Sequence, residues 1–300
     1  MVVMFIYLQR LSAISVMTTV QTKISNLEKC LRKMGSLLVS YSGGLDSAFL
    51  AVVANRTLGK NMLAVTSRSP ALSTLDWRDA KTVASFFGFK HEVISIEETS
   101  DKRYVANPAN RCYYCKSSLF KRLRQIAKKR KLKFMVDGAN MDDLSDYRPG
   151  LKAAAESGVR HPLQECKFTK KDIRVAARLL KIPLADKPAS PCLASRFPYG
   201  TPITAKQLRA IDVLEKKIRG LGFSDCRARI EARGIVRLEV PENELPLAAE
   251  NKTRKSILTA ARKANFNYAV LDLAGLRSGN LNLEINATSP QRRRDRRGKS

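Results

Sequence analysis

The stretch that most limits what this chain can fold into is Ser42-Gly43-Gly44-Leu45-Asp46-Ser47. It follows the apolar run Leu37-Leu38-Val39 and opens into Ala48-Phe49-Leu50-Ala51-Val52-Val53-Ala54. That order reads as a buried strand, a glycine turn and a helix start. Glycines let the backbone come close to a bound group, and the first N–H groups of a helix have no internal partners. With the helix dipole they make an anion site. The common phosphate loop ends in Gly-Lys-Ser/Thr, whose lysine reaches the outer phosphates. Here Asp46 occupies the turn instead. A carboxylate beside phosphates makes chemical sense when it holds Mg²⁺, so Ser42, Gly43, Gly44, Asp46 and Ser47 read as a grip for a leaving pyrophosphate. The competing reading is a serine and glycine turn that does no more than cap a helix.

These six residues resemble the SGGxDS signature of the PP-loop ATP pyrophosphatases. The resemblance implies ATP and Mg²⁺ as ligands, adenylation of an acceptor oxygen and release of pyrophosphate. It leaves the acceptor open, since the superfamily holds amidating synthetases as well as sulfur-inserting enzymes.

The surrounding pattern predicts an α/β fold. Met62–Thr66 and His91–Ile96 read as further strands, Thr74–Phe87 as a helix with Asp76 in its first turn, 113–130 as a basic amphipathic helix and Phe134–Asp137 as a strand. Strands alternating with helices indicate a parallel sheet flanked by helices on both faces. Ligands bind such sheets at the carboxyl ends of the strands, where the glycine turn lies. The pattern changes in the proline-rich stretch from Pro183 to Pro202. Beyond it come a helix from Thr204, its N-cap, to Leu221, and a hairpin of Cys226–Ala232 and Ile235–Val240 through Arg233-Gly234. A helix over 246–264 and a strand Tyr268–Asp272 complete a second, smaller α+β domain. The expected organisation is an N-terminal extension at 1–25, a nucleotide domain at 26–199, a substrate and oligomerisation domain at 200–288, and a basic disordered tail at 289–300.

Composition narrows the class. Three hundred residues, 44% hydrophobic and 27% charged, suit a soluble protein with real cores. The formal net charge of +28 is unusual, and the tail Gln291–Ser300 supplies only +5 of it. Such a field favours polyanions, either nucleic acid or phosphorylated small molecules. Met1-Val2-Val3-Met4-Phe5-Ile6-Tyr7-Leu8 is apolar but too short to span a bilayer, and it lacks a basic leader. The expectation is a cytoplasmic protein without a membrane partner, with a start at Met17 as an alternative to the printed one.

Six cysteines in 300 residues do not make a secreted disulfide scaffold. Cys112 and Cys115 stand three apart within Arg111-Cys112-Tyr113-Tyr114-Cys115-Lys116, so in the first turn of a helix both sulfurs face one way. Helix-start amides, Arg111 and Lys116 favour thiolate there. Cys192 sits between the prolines of Lys187-Pro188-Ala189-Ser190-Pro191 and Leu193-Ala194-Ser195-Arg196. A closed zinc site needs four ligands, and neither a second CxxC nor a histidine pair is present. Three cysteines would suit a 4Fe-4S cluster with one open iron. An incidental pair or a zinc site remains the competing reading.

Five segments in order then resemble one family. They are the glycine turn, Arg111–Lys116, Asp137-Gly138-Ala139-Asn140 with Asp142-Asp143 and Asp146–Gly150, Lys187–Pro202, and Leu271–Gly279. From about Ser36 to Asn282 the chain is similar to the LarE family of ATP-dependent sulfur transferases. The resemblance implies that ATP adenylates a carboxylate of pyridinium-3,5-biscarboxylic acid mononucleotide, and that sulfur then replaces oxygen for the nickel-pincer cofactor of lactate racemase. It also implies that Cys192 bears the sulfur. Some members have only that cysteine and give up its sulfur. The presence of Cys112, Cys115 and Cys192 together resembles the members that hold a cluster, which take sulfide or another sulfur donor. A homo-oligomer is implied too.

In the hairpin, Arg227, Arg229, Glu231 and Arg233 share one face by the period of two. A row of guanidiniums suits phosphate, although a solvated charged face has the same pattern. The family resemblance assigns the substrate phosphate to Arg227 and Arg229, with Ser195 and Glu215. The expected reaction uses the glycine turn and Asp46 to hold ATP·Mg²⁺, and Lys116 to offset charge on the phosphates. Two other readings stay in view. A PP-loop tRNA thiolase would explain the charge, and a basic RNA-binding protein that kept the fold without catalysis is the second. Nucleic acid is thus a less favoured partner than the mononucleotide.

Overall fold

The computed structural model describes residues 2–145 and 148–277, with side chains from Met17 onward except that of Ser145. Asp146, Tyr147, Ser278, Gly279, the remainder of the match to Asn282 and the basic tail lie outside the described residues. The elements in order are α1 (Val2–Met34), β1 (Leu37–Ser40), α2 (Leu45–Leu58), β2 (Met62–Arg68), α3 (Thr74–Phe86), β3 (His91–Ser95), α4 (Lys102–Val105) and α5 (Arg111–Lys129). They continue with β4 (Phe134–Val136), α6 (Pro149–Glu156), β5 (Val159–Arg160), α7 (Pro162–Glu165), α8 (Lys170–Leu179), α9 (Ala205–Arg219), β6 (Arg227–Ile230), β7 (Ile235–Glu239), α10 (Leu245–Ala249), α11 (Asn251–Lys263) and β8 (Tyr268–Leu271). No helix among the described residues is long and apolar enough to cross a membrane.

The chain divides into two compact units. The first comprises Met1–Glu98 and Cys112–Ser190, the second the described residues of Thr99–Arg111 and Pro191–Ser300. Cys112 and Cys115 therefore belong to the first unit, and Cys192 to the second.

The first unit holds a five-stranded parallel sheet in the order β3-β2-β1-β4-β5, as the alternation of strands and helices requires. β1 is central, and its residues alternate between two buried layers. Leu37 and Val39 join Phe49, Val52, Phe168 and Ile173 on one face, where α1, α2 and α8 pack. Leu38 points to the other face with Leu63, Phe120, Leu123 and Ala153, from β2, α5 and α6. The same alternation recurs in β2, as the pleat dictates. α2 is buried from Ser47 to Ala54, which explains its continuous apolar sequence. The two-residue β5 shows no periodicity in the sequence and was not foreseen there.

With this strand order the chain runs from β1 through β2 to β3 on one side and crosses back to β4 and β5 on the other, so the crevice opens between the carboxyl ends of β1 and β4. The turn Ser42–Gly44 follows β1, and Asp137–Asn140 follows β4. The topology thus brings two of the five motif segments to one place.

The second unit is a three-stranded sheet, β6-β7-β8, with β6 and β7 antiparallel and β8 parallel to β7. Arg233 (φ 60°) and Gly234 (φ 73°) make the left-handed hairpin turn. Because the turn begins early, β6 ends at Ile230, and the expected row of four on one strand face shortens to Arg227 and Arg229. Both are buried, at 7% and 4% exposed, which rules out a solvated charged face. The helix expected over 246–264 is two, because Glu250 is extended (φ −56°, ψ 138°).

Candidate functional site

The glycine turn of the first unit is closed by its own serines. The Ser42 backbone N–H donates to Ser47 Oγ (3.2 Å), the two hydroxyls lie 3.1 Å apart, and Ser47 Oγ donates to the Gly44 carbonyl (3.0 Å). Gly44 caps α2 with no side-chain hydrogen bond, so no side chain competes for the first amides of the helix. Gly43 has φ +78°, and a Cβ there would stand 2.4 Å from the Asp76 carbonyl oxygen of α3. Gly138 lies as close on the other side, where a Cβ would meet Ser47 N at 2.7 Å. Backbones from β4 and α3 therefore press on the turn, and only glycine permits it.

Asp46 is reached from two distant segments. Lys170 Nζ stands 2.5 Å from its Oδ1, and Asn140 Nδ2 stands 3.4 Å from its Oδ2. Burial pushes the Asp46 carboxyl up from its ordinary range, against the downward pull of Lys170. The Lys170 amide donates to Asp142 Oδ2 (2.5 Å), and Asp143 accepts from the Asn140 amide (2.9 Å) and pairs with Arg148 (2.8 Å). Oxygen donors of this kind suit Mg²⁺, which takes one or two carboxylates and completes its shell with phosphates and water. The residues therefore fit MgATP, with Asp46 as the carboxylate next to the first amides of α2.

At the end of β4, Asp137 accepts from His161 Nδ1 at 2.7 Å. The Asp137 carboxyl is pushed up by burial but held below its usual range by His161, with Lys116 contributing. His161 is raised in turn, chiefly by that hydrogen bond. The Lys116 stem lies 3.2 Å from where a Gly150 Cβ would stand, and its charge acts on Asp137. Lys187 Nζ bridges Asp76 and Asp79 at 2.6 Å each, and Ser190 Oγ donates to Asp76 (2.8 Å). That tie holds the end of the first unit on α3, the helix that presses on Gly43.

Cys112 is exposed and Cys115 half-buried in the first turn of α5, the latter donating to Glu98 Oε1 at 3.8 Å. Burial pushes the Glu98 carboxyl up. Among the described residues no group of three or more His, Cys, Asp or Glu side chains is placed to hold a metal ion. The pair on α5 offers two cysteine sulfurs from one helix turn, which is part of the donor set a 4Fe-4S cluster needs and not the whole of it.

In the second unit, Cys192 is exposed and precedes a short 3₁₀ turn, Leu193–Arg196. The Arg196 guanidinium, 3% exposed, binds this loop from beneath. It donates to the Pro191 carbonyl (3.0 Å), to Ser195 Oγ (2.8 Å) and to both oxygens of Glu215 (2.8 and 3.0 Å). Glu215 also accepts from the Ala228 amide (2.9 Å). Arg229 donates to the Ser195 carbonyl (2.7 Å) and forks onto Glu239 (2.8 and 2.9 Å). The structure thus gathers Ser195, Glu215 and Arg229 in one hydrogen-bonded network, with Arg227 close enough to feel the charges of Arg196 and Arg229. Glu215 neutralises Arg196 and orients it.

Arg227 differs from its neighbours. Among the described residues it makes no ion pair, only a 3.4 Å hydrogen bond to the Arg277 carbonyl. Burial, with repulsion from Arg196 and Arg229, pushes its pKa down. A buried cation without a carboxylate is costly unless an anion completes it.

The sequence reading missed Lys170, His161, Lys187 and Arg196 as members of these sites. Lys170 had a legible signal, the capping box Thr169-x-x-Asp172 that starts α8. Nothing local could tell which lysine of so basic a chain would reach Asp46.

Residues 19–129 match a family model described as NAD synthase. An uncharacterized protein of Synechocystis is 39% identical over 262 residues, which cover 87% of this chain and 97% of that protein. The pyridinium-3,5-bisthiocarboxylic acid mononucleotide synthase of Lactiplantibacillus plantarum is 34% identical over 269 residues, 89% of this chain and 96% of that protein. A tRNA-specific 2-thiouridylase of Neorickettsia sennetsu is 26% identical over 194 residues, covering 51% and 52% of the two chains. A parallel sheet with its glycine turn at the switch point, and full-length similarity to a bisthiocarboxylate synthase, lead to one assignment: the chain belongs to the LarE family of ATP-dependent sulfur-transferring enzymes within the PP-loop superfamily.

Proposed function

We propose that this enzyme adenylates a carboxylate of pyridinium-3,5-biscarboxylic acid mononucleotide and replaces its oxygen with sulfur, as a step in making a nickel-pincer cofactor. The observation that carries the substrate class is Arg227, a buried cation without a carboxylate partner, in the same unit as Cys192. A phosphate monoester would complete its charge, while Glu215 and Glu239 already neutralise Arg196 and Arg229. The similarity to the synthase of Lactiplantibacillus plantarum supports the same reading.

Amides of the glycine turn bind the phosphates, and Asp46 would hold Mg²⁺, which would neutralise charge on the leaving pyrophosphate. A substrate carboxylate oxygen attacks the α-phosphorus, and pyrophosphate departs. Lys116 would offset that negative charge. Hydrosulfide held at Cys192 then attacks the acyl carbon, and AMP departs with the oxygen, leaving the thiocarboxylate. Arg196 and Arg229 hold the Ser195 loop, and so the cysteine, in place. A cluster on Cys112, Cys115 and Cys192 remains the proposal for sulfur supply, supported by the α5 pair alone, and no step above depends on it.

Incubation with the mononucleotide, MgATP and sulfide should give AMP, pyrophosphate and a product heavier by the oxygen-to-sulfur exchange. A Cys192→Ala variant should release pyrophosphate and form no thiocarboxylate. Failure of the wild-type enzyme to form AMP with this substrate defeats the proposal. The tRNA thiolase alternative, favoured by the +28 charge and by the partial similarity to a 2-thiouridylase, predicts RNA that stays bound through purification at high salt.

A further inference from the structure

We propose that Lys170 is a built-in stand-in for the metal: its ammonium occupies Asp46 until MgATP arrives, then yields the carboxylate and turns to the phosphates. The inference rests on the reading of the glycine turn as an ATP site. Lys170 Nζ sits 2.5 Å from Asp46 Oδ1, and the other oxygen accepts from Asn140, so both oxygens of the one carboxylate in the turn are already engaged. A Mg²⁺ ion bound about 2.0–2.1 Å from the same carboxylate would stand within a few ångströms of this ammonium, and the two positive charges would repel each other. Each cation therefore weakens the other's hold on Asp46.

The local structure makes such an exchange a side-chain event. The start of α8 is clamped. Thr169 and Asp172 form a capping box, Lys23 of α1 holds both Asp172 and the Lys167 carbonyl at 2.7 Å, and the Lys170 amide is fixed on Asp142. The Lys170 side chain itself is 32% exposed, and its stem has four rotatable bonds. It can therefore swing while the helix stays. The charges of the site agree with this arrangement: Lys170 balances Asp46, and Arg148 balances Asp143, so the nucleotide-free site carries its own neutralisation. Metal binding without nucleotide is thereby suppressed, and the ATP phosphates supply the new partner that releases the lysine.

The test is Mn²⁺ binding to the full-length protein without nucleotide, followed by electron paramagnetic resonance of free Mn²⁺. Wild-type protein and Lys170→Arg, which keeps the cation, should bind Mn²⁺ weakly and alike. Lys170→Met should bind on the order of tenfold more tightly or better, since a positive charge beside the metal is gone. Adding Asp46→Asn to that variant should abolish the gain. Lys170→Gln serves the same purpose if the methionine variant fails to fold, as judged by circular dichroism. Equal Mn²⁺ affinity in wild type and Lys170→Met, or a gain that survives Asp46→Asn, overturns the inference. A parallel titration of wild type with a non-hydrolysable Mg·ATP analogue separates the two levels. Absence of nucleotide binding defeats the ATP reading itself, whereas nucleotide binding without the Mn²⁺ gain defeats only the role of Lys170.

Discussion

Replacing Gly138 by alanine tests how the crevice is built, because that glycine is required by contact and not by conformation. An added Cβ would meet Ser47 N at 2.7 Å, the Asp46 carbonyl carbon at 2.9 Å and Ser47 Cα at 3.0 Å. All three are backbone atoms at the start of the buried helix α2, so none can rotate away. Comfortable contacts need about 3.5 Å, so the segment after β4 must retreat by roughly half an ångström or more. Overpacking of this size costs about 1–3 kcal/mol of stability. The functional consequence is larger, because Asn140 reaches Asp46 from this same segment at 3.4 Å, already the long end of a hydrogen bond. Retreat breaks that bond and moves the wall of the phosphate site. We expect a lower denaturation midpoint together with about tenfold to hundredfold weaker nucleotide binding. Urea unfolding and equilibrium titration with a fluorescent ATP analogue read the two effects separately. A Gly138→Ala protein with wild-type midpoint and wild-type affinity would refute the argument that backbone contact across β1 and β4 shapes the site.

Glu215→Gln should cost about 3–5 kcal/mol, because it leaves the buried Arg196 without its counter-charge; an unchanged urea midpoint would show that the network contributes nothing. Lys187→Met should lose about 1–3 kcal/mol by leaving Asp76 and Asp79 facing each other without their shared cation, read in the same assay. The Asp137–His161 pair should make stability depend on pH. His161 is raised in the folded protein, so its contribution is complete below its unfolded value near 6.5 and fades as pH climbs through the folded value. Asp137 is lowered, so its contribution is present above about 4 and fades as pH falls through its folded value. The stability difference between wild type and His161→Gln should accordingly be greatest between about pH 4 and 6.5, and a difference that does not vary with pH speaks against the pair.

Local signals carried far in this chain. The buried strand, glycine turn and apolar helix around Ser42–Ser47 were legible because each rests on neighbouring residues, as was the N-cap of α9 at Thr204, which accepts from the Gln207 amide. β5 was not, since two residues carry no period. The break at Glu250 was not either, because no glycine or proline stands at it. The arginine row was read with the right face and the wrong length, because a left-handed turn at Arg233 closes the strand sooner than alternation suggests.

The sequence by itself determined the kind of fold and the chemistry of the phosphate site, since strand, turn and helix follow from side-chain period and backbone freedom over a few residues. Tertiary structure alone decided which charges meet. Lys170 stands 124 residues from Asp46 along the chain, and His161 stands 24 from Asp137. The solvent status of Arg227 and Arg229 was decided there as well. In a chain with 55 lysines and arginines, composition offers many partners for each carboxylate. Only the strand order, by setting which loops share a crevice, chooses among them.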